Sequence, residues 1–228
     1  MRLPSLCALC RQWGSERLCD DCIVKYAAPR LRCRRCALPL VAGGAGCGAC
    51  AIDPPDFDGA IAAVDYAYPF DGLIRRYKFH AGLDLTATFV RRMLAAHERA
   101  GRPPLALLMP VPLSAQRLRE RGYNQAWELT RRLARALGAR ADARLLLRIR
   151  DTPHQLDLLP EQRAANVRGA FAVEPARRIE LRGAAVTVVD DVLTTGATLR
   201  EIAHVLRQAG AAQVHVWTLA RTPRPETA

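Results

Sequence analysis

The spacing of apolar residues changes several times along this chain, and each change marks an element. Ala60–Tyr68 reads as a strand, and Leu105–Val111 is an apolar run of buried-strand length. Leu85, Phe89 and Met93 recur every fourth residue, the spacing of one helical face. Ala126, Leu129, Leu133 and Leu137 mark a second helix, which Gly138 ends. Short strands are expected at Arg144–Ile149 and Ala170–Val173, and a stronger one at Ala184–Val189. Leu199, Ile202, Val205, Leu206 and Ala209 make a helix ended by Gly210, and Val214–Leu219 closes the pattern with a strand. Continuous apolar strands alternating with helices predict an α/β fold, a parallel sheet covered by helices on both faces. Ligands of such sheets bind at the carboxyl ends of the strands.

The first fifty residues break this pattern. They hold all eight cysteines of the chain, spaced Cys7-x2-Cys10, Cys19-x2-Cys22, Cys33-x2-Cys36 and Cys47-x2-Cys50. Each CxxC turn can aim two thiolates at one ion, and two turns complete a tetrahedron, so two structural Zn²⁺ ions are expected. Sequential pairing joins Cys7, Cys10, Cys19 and Cys22 at one ion, and Cys33, Cys36, Cys47 and Cys50 at the other. It closes the shorter loops and is favoured over cross-brace pairing on chain entropy. So few aliphatic residues would hardly fold without metal. Ala51–Asp56, with Pro54 and Pro55, then reads as a linker. The expected organisation is a double zinc ribbon at 1–50, a linker at 51–58 and an α/β domain at 59–228.

Charge and composition narrow the partners. The formal net charge is +12, carried almost wholly by arginine, since Lys25 and Lys78 are the only lysines. Two zinc sites of four thiolates each would lower it to about +8. A basic chain suits nucleic acid, and equally a polyanionic small substrate. No apolar run approaches a membrane span, and the start of the chain lacks a signal-peptide core, so a cytoplasmic protein without membrane attachment is expected.

The most informative chemistry lies in Val188–Thr198, VVDDVLTTGAT. An apolar strand ends in Asp190 and Asp191, then Thr194, Thr195, Gly196, Ala197 and Thr198 lead into a helix. Backbone N–H groups and hydroxyls at a helix start can cradle a phosphate. Two neighbouring acids can accept hydrogen bonds from sugar hydroxyls. Asp and Thr also occur in such turns for structural reasons alone. Two further segments supply cations. Pro110-Val-Pro-Leu-Ser114 is followed by Arg117, Arg121 and Gly122-Tyr-Asn-Gln125, and Arg148–Gln155 runs on through Arg163. Arginine forks match phosphate oxygens.

VVDDVLTTGAT resembles the loop that binds phosphoribosyl pyrophosphate (PRPP) in type I phosphoribosyltransferases. With the cysteine pairs, Tyr68–Phe79, PVPLS at 110–114, RGYNQ at 121–125, Arg148–Gln155, Arg163 and Asn166–Phe171, nearly the whole chain resembles the ComF family, the competence protein F group. The loops also resemble those of glutamine PRPP amidotransferase, without its glutaminase. The resemblance implies that Asp190 and Asp191 bind the ribose hydroxyls of PRPP and that Thr194–Thr198 hold its 5′-phosphate. It implies a pyrophosphate loop at Val111, Pro112, Leu113 and Ser114, with Arg117 and Arg121 beside it. It implies a flexible loop from Arg148 through Gln155 to Arg163, and Mg²⁺ bound mainly through PRPP oxygens. The family connects to uptake and use of transforming DNA. Two functions therefore stand: pentosyl transfer from PRPP to an unknown acceptor, or a PRPP sensor or docking module whose ribbon contacts single-stranded DNA or a competence helicase. Arg30, Arg32, Arg34 and Arg35 are the candidate phosphate contacts of the ribbon. His80 and His154 are expected to be solvated or structural.

Overall fold

Two copies of one small unit open the molecule. The structure is a computed structural model that describes residues 4–41, 44, 46–101, 106–151 and 165–224. In the first unit, β1 (Ser5–Leu6) pairs antiparallel with β2 (Trp13–Gly14), and the Cys7–Cys10 turn lies between them. Cys7 N–H donates to the Gln12 carbonyl at 2.8 Å, and Arg11 takes a φ of 65° as the turn closes. Cys19 then caps α1 (Asp20–Tyr26), which carries Cys22. The second unit repeats the plan. Cys33 N–H donates to the Leu38 carbonyl at 2.8 Å, and Ala37 takes a φ of 56°. Cys47 caps α2 (Gly48–Ile52), which carries Cys50. Each unit thus offers two thiols from a turn and two from the start of a helix.

The remaining elements follow in chain order. β3 (Gly59–Asp65), α3 (Phe70–Phe79), α4 (Thr86–Arg99), β4 (Leu107–Pro110), α5 (Ala115–Arg121) and α6 (Gln125–Leu137) come first. Then come β5 (Arg140–Ala141), β6 (Leu146–Arg148), β7 (Phe171–Val173), β8 (Ala185–Leu193), α7 (Ala197–Gln208) and β9 (Gln213–Arg221). Five strands form one parallel sheet in the order β3-β9-β8-β4-β5. One face buries Val186, Val188 and Val216 against Leu199, Ile202 and Leu206 of α7. The other buries Leu108, Val189 and Trp217 against α3, α4 and α6, through Ile74, Phe89, Leu129 and Leu133. Val188 and Val189 enter different cores because successive side chains of a strand point to opposite faces. The cysteine units join these cores: Cys7, Leu18 and Cys22 lie in the second, and Ala37 lies in the first.

The parallel α/β sheet matches the expectation, with differences at particular elements. β8 runs to Leu193, so both acids lie inside the strand rather than after it. The ladder continues because β9 runs beside it to Arg221, and backbone pairing does not depend on the side chains: Asp190 faces Thr218 and Leu193 faces Arg221. β3 stops at Asp65 instead of Tyr68, because Tyr66 N–H meets the carbonyl of Arg221, where β9 ends. The two short strands exist but pair antiparallel with each other, as β6 and β7, outside the parallel sheet. Leu105 lies outside the described residues.

Candidate functional site

Asp190 and Asp191 sit side by side near the carboxyl end of β8, in environments that differ. Asp191 is buried, at 2% exposure, and Lys78 Nζ of α3 pairs with its Oδ1 at 2.8 Å. Its Oδ2 is also buried and has no hydrogen-bond partner among the described residues. Asp190 is half-buried, and its Oδ1 accepts from the Asp191 N–H at 2.8 Å. Burial and the adjacent Asp191 carboxylate push Asp190 up to about 7, against the opposing pull of Lys78. The Lys78 ammonium loses hydration in this setting, yet the two carboxylates hold it above its ordinary range.

Beyond β8 the chain turns through Thr194 and Thr195 into Gly196, which has a φ of 87° and caps α7 without a side-chain hydrogen bond. Only glycine adopts that conformation without strain. The first backbone N–H groups of a helix have no partner within it, so the start of α7 presents donors and the positive end of its dipole. Thr194, Gly196, Ala197 and Thr198 line a cleft of about 450 Å³ together with both acids. Thr195 points elsewhere: it is exposed, and its Oγ1 accepts from Ala197 N–H at 3.4 Å.

The opposite wall comes from the segment after β4. Val111, Pro112 and Leu113 line the cleft, but Ser114 does not. Ser114 is buried and caps α5, its Oγ accepting from Arg117 N–H at 3.3 Å. Asn124 fixes this wall by donating from Nδ2 to the Val111 carbonyl at 3.0 Å while its Oδ1 caps α6. Arg117, Arg121 and Arg148 reach the cleft. Burial, then the neighbouring Arg117 charge, pushes Arg148 down to about 10, and burial followed by Arg121 lowers Arg117. These cations crowd one another, and a bound anion would relieve them. The predicted residues Gln155 and Arg163, and His154, lie outside the described residues. His80 is exposed.

Lys78 and Phe79, with Tyr66 and Arg75, are among the cleft residues for which the sequence offered no role. Phe79 is half-exposed, and the Arg121 guanidinium lies 4.7 Å from its ring centre. A helical signal was present nearby, since Phe70, Leu73, Ile74 and Tyr77 form the buried face of α3.

The eight thiols gather sequentially. The Sγ atoms of Cys7, Cys10, Cys19 and Cys22 lie within 4.8 Å of one another, as do those of Cys33, Cys36, Cys47 and Cys50. None is in a disulfide. Four sulfurs around Zn²⁺ at ~2.3 Å fit that spacing. Burial alone would raise Cys7, but the N–H groups of Cys19, Cys10 and Leu9 outweigh it and bring the thiol down to about 6. Two arginines proposed to contact phosphate are engaged elsewhere: Arg30 and Arg32 both pair with Asp65 at 2.7 Å, whereas Arg34 and Arg35 are exposed.

Comparison with known proteins follows the same outline. DNA utilization protein YhgH of Escherichia coli K12 is 34% identical over 97% of this chain and 99% of its own length. Competence protein F of Haemophilus influenzae is 34% identical over 90% of each chain. The chain belongs to the ComF family. The phosphoribosyl transferase domain family matches residues 131–227, which include the acids and the Thr194–Thr198 loop. Among solved structures, glutamine PRPP amidotransferase from B. subtilis aligns over 63% of this chain and 30% of that one, at 22% identity and a TM-score of 0.42. The ComF relatives thus span both the cysteine units and the α/β sheet, which this fold joins through shared cores. Among the described residues, no helix is long and apolar enough to cross a membrane.

Proposed function

We propose that this ComF-family chain binds Mg²⁺–PRPP in the cleft and transfers its pentosyl group to an acceptor, releasing pyrophosphate, in the cytoplasm. The observation that carries this reading is the distribution of charge around one cleft of about 450 Å³. Carboxylates stand on one lip, an open helix start on the second, and crowded arginines on the third.

Each lip has a task. Asp190 and Asp191 accept hydrogen bonds from the two ribose hydroxyls. Backbone N–H groups from Thr194 to Thr198 hold the 5′-phosphate. Val111–Leu113 with Arg117, Arg121 and Arg148 take the pyrophosphate. When the bond from the anomeric carbon to the pyrophosphate oxygen breaks, the electron pair leaves with that oxygen. The arginines stabilise the growing negative charge there. The carboxylates steady the sugar as its ring becomes cationic, and a lone pair of the acceptor then bonds to the anomeric carbon while the acceptor's proton passes to solvent. No protein nucleophile is required, and positioning supplies much of the rate. Mg²⁺ bound through phosphate oxygens would add further neutralisation of the leaving group. Zn²⁺ at the two cysteine clusters serves the fold.

A second reading rests on the relatives named for competence and DNA utilization. In it the domain senses PRPP while the ribbon, through Arg34 and Arg35, meets single-stranded DNA or a helicase. Calorimetry of Mg²⁺–PRPP into the purified chain tests the shared premise. Binding in the micromolar range is expected, with loss of at least tenfold when Asp190 and Asp191 are both changed to Asn. Unchanged binding in that double variant, or none at millimolar PRPP, would sink both readings. Pyrophosphate release in a metabolite screen then separates transfer from sensing.

A further inference from the structure

The two ends of the Thr194–Thr198 loop are each fastened to the second cysteine unit. At the entrance, Arg221 of β9 donates from Nε to the Cys36 carbonyl at 2.9 Å and from Nη1 to the Leu193 carbonyl at 2.9 Å. The same Nη1 reaches the carbonyl of Thr194. At the exit, Arg200 in the first turn of α7 grips Asp53. Its Nη2 donates to Asp53 Oδ2 at 2.8 Å and to the Asp53 carbonyl at 3.0 Å, while Nη1 reaches Oδ1 and the Pro54 carbonyl, both at 3.2 Å. Asp53 caps α2, the helix that carries Cys50.

These two clamps use different halves of the unit. Cys36 belongs to the turn that presents Cys33 and Cys36, and Asp53 ends the helix that presents Cys47 and Cys50. The turn and the helix are brought to one point by the thiols themselves. An ion there closes a ring: Cys36 to Arg221, to the loop, to Arg200, to Asp53, and back through Cys50. Without the ion, the turn and helix lose their common anchor, and each arginine loses a fixed acceptor. The first unit is placed otherwise. Arg17 pairs with Asp84 at 2.7 Å and Glu16 pairs with Arg91 of α4, over the opposite core.

We propose that the second cysteine unit is a positioning device for the phosphate loop, with Arg221 and Arg200 coupling metal occupancy at Cys33, Cys36, Cys47 and Cys50 to anion affinity at Thr194–Thr198. This rests on the reading of the cleft as the PRPP site. The coupling is reciprocal: whatever factor the metal adds to PRPP affinity, PRPP adds to metal affinity. It is also selective, because among the described residues the first unit lacks these clamps.

The full chain with two equivalents of zinc provides the test. Arg221→Gln and Arg200→Gln are each expected to weaken Mg²⁺–PRPP binding about five- to tenfold while keeping both zinc ions. Arg221→Lys should recover part of the loss, since one ammonium can serve only some of these carbonyls. Saturating Mg²⁺–PRPP should slow chelator-driven release of one zinc equivalent several-fold and leave the other unchanged, and Arg221→Gln should abolish that protection. Should Arg221→Gln fail to fold, Arg200→Gln carries both measurements. Wild-type affinity in the variants, or equal PRPP effects on both zinc ions, overturns the coupling and leaves the PRPP site standing. If the wild type binds no PRPP, the site reading fails, and amide exchange then decides the coupling alone. After withdrawal of the second unit's zinc, exchange that rises more across residues 193–200 than across the rest of the sheet supports it, and a uniform or unchanged rate refutes it.

Discussion

Two adjacent carboxylates on β8 receive one cation between them. Lys78 pairs directly with Asp191, and Asp190 is left with a carboxyl raised to about 7 by burial first and by Asp191 next. The direction of the resulting pH dependence follows. A raised folded-state carboxyl favours the folded state most strongly at low pH, below the ordinary carboxylate range. That contribution is lost as pH rises from the ordinary Asp value of 3.8 through about 7. Asp190→Asn, which removes the ionisation, should therefore raise the melting temperature more at pH 8 than at pH 5. Ligand binding should show the opposite demand, because a ribose hydroxyl needs the carboxylate as acceptor. Wild-type affinity for Mg²⁺–PRPP should rise between pH 6 and pH 8, and in Asp190→Asn that rise should flatten. Melting curves and calorimetry at the two pH values check both. Lys78→Met tests the other half of the arrangement. It leaves Asp191 buried without its cation, which should destabilise the chain by about 3 kcal/mol in denaturant titration. Stability within ~1 kcal/mol of the wild type would mean that water or another donor takes the place of Lys78 beside Asp191.

At the scale of elements, the proposed site is built on the strand-to-helix joint of β8 and α7, where Gly196 makes the turn. A methyl group at Gly196 would meet Leu193 Cδ1 at 3.5 Å, an ordinary contact, so the restriction there is conformational rather than steric. Gly196→Ala should cost about 1 kcal/mol of stability through its φ of 87°. It should weaken PRPP binding by more than that, because a relaxed φ re-aims the N–H groups at the helix start. An affinity loss no larger than the stability loss would argue that the loop's amides do not hold the ligand. Much of this joint was legible from residues 188–198, since apolar run, acids, hydroxyls and glycine all fall within one segment. What local order hid were features decided by partners distant in the chain. β8 extends through both acids only because β9 continues beside it. Lys78 looks like any surface lysine until Asp191 is brought to it. The helix that carries Lys78 has Pro69 at its start and Gly72 in its first turn, both poor helix formers, although its buried face is regularly spaced. Ser114 and Asn124 show the reverse case: residues in the expected motif that serve as helix caps.

Across the whole molecule, the cysteine units are part of the folded core rather than an appendage. Cys7, Leu18 and Cys22 are buried in the same cluster as Phe89, Leu129 and Trp217, and Ala37 joins the cluster built on Val188 and Ile202. Arg34 further offers its carbonyl to Ala60 N–H at 3.0 Å, so the second unit also guards the edge strand β3. A module attached by a free linker would unfold by itself when its metal is removed. Here loss of an ion would loosen units that share the sheet's two cores, and at the second unit it would also free the contact to the edge strand β3. Removing zinc should therefore destabilise the whole chain. Scanning calorimetry of the zinc-loaded protein should give one transition, moved down by about 10 °C or more after chelation, with the shift several-fold larger than any one surface ion pair provides. An ion held by four thiols that the fold brings together would favour the native state, so the transition should move back up as free zinc is raised, by the mass-action rule for a ligand of the native state. Two separate transitions, with the upper one indifferent to chelator, would instead show that the α/β sheet stands without the cysteine units, and that the contacts through Arg34, Leu18 and Ala37 contribute little to holding it.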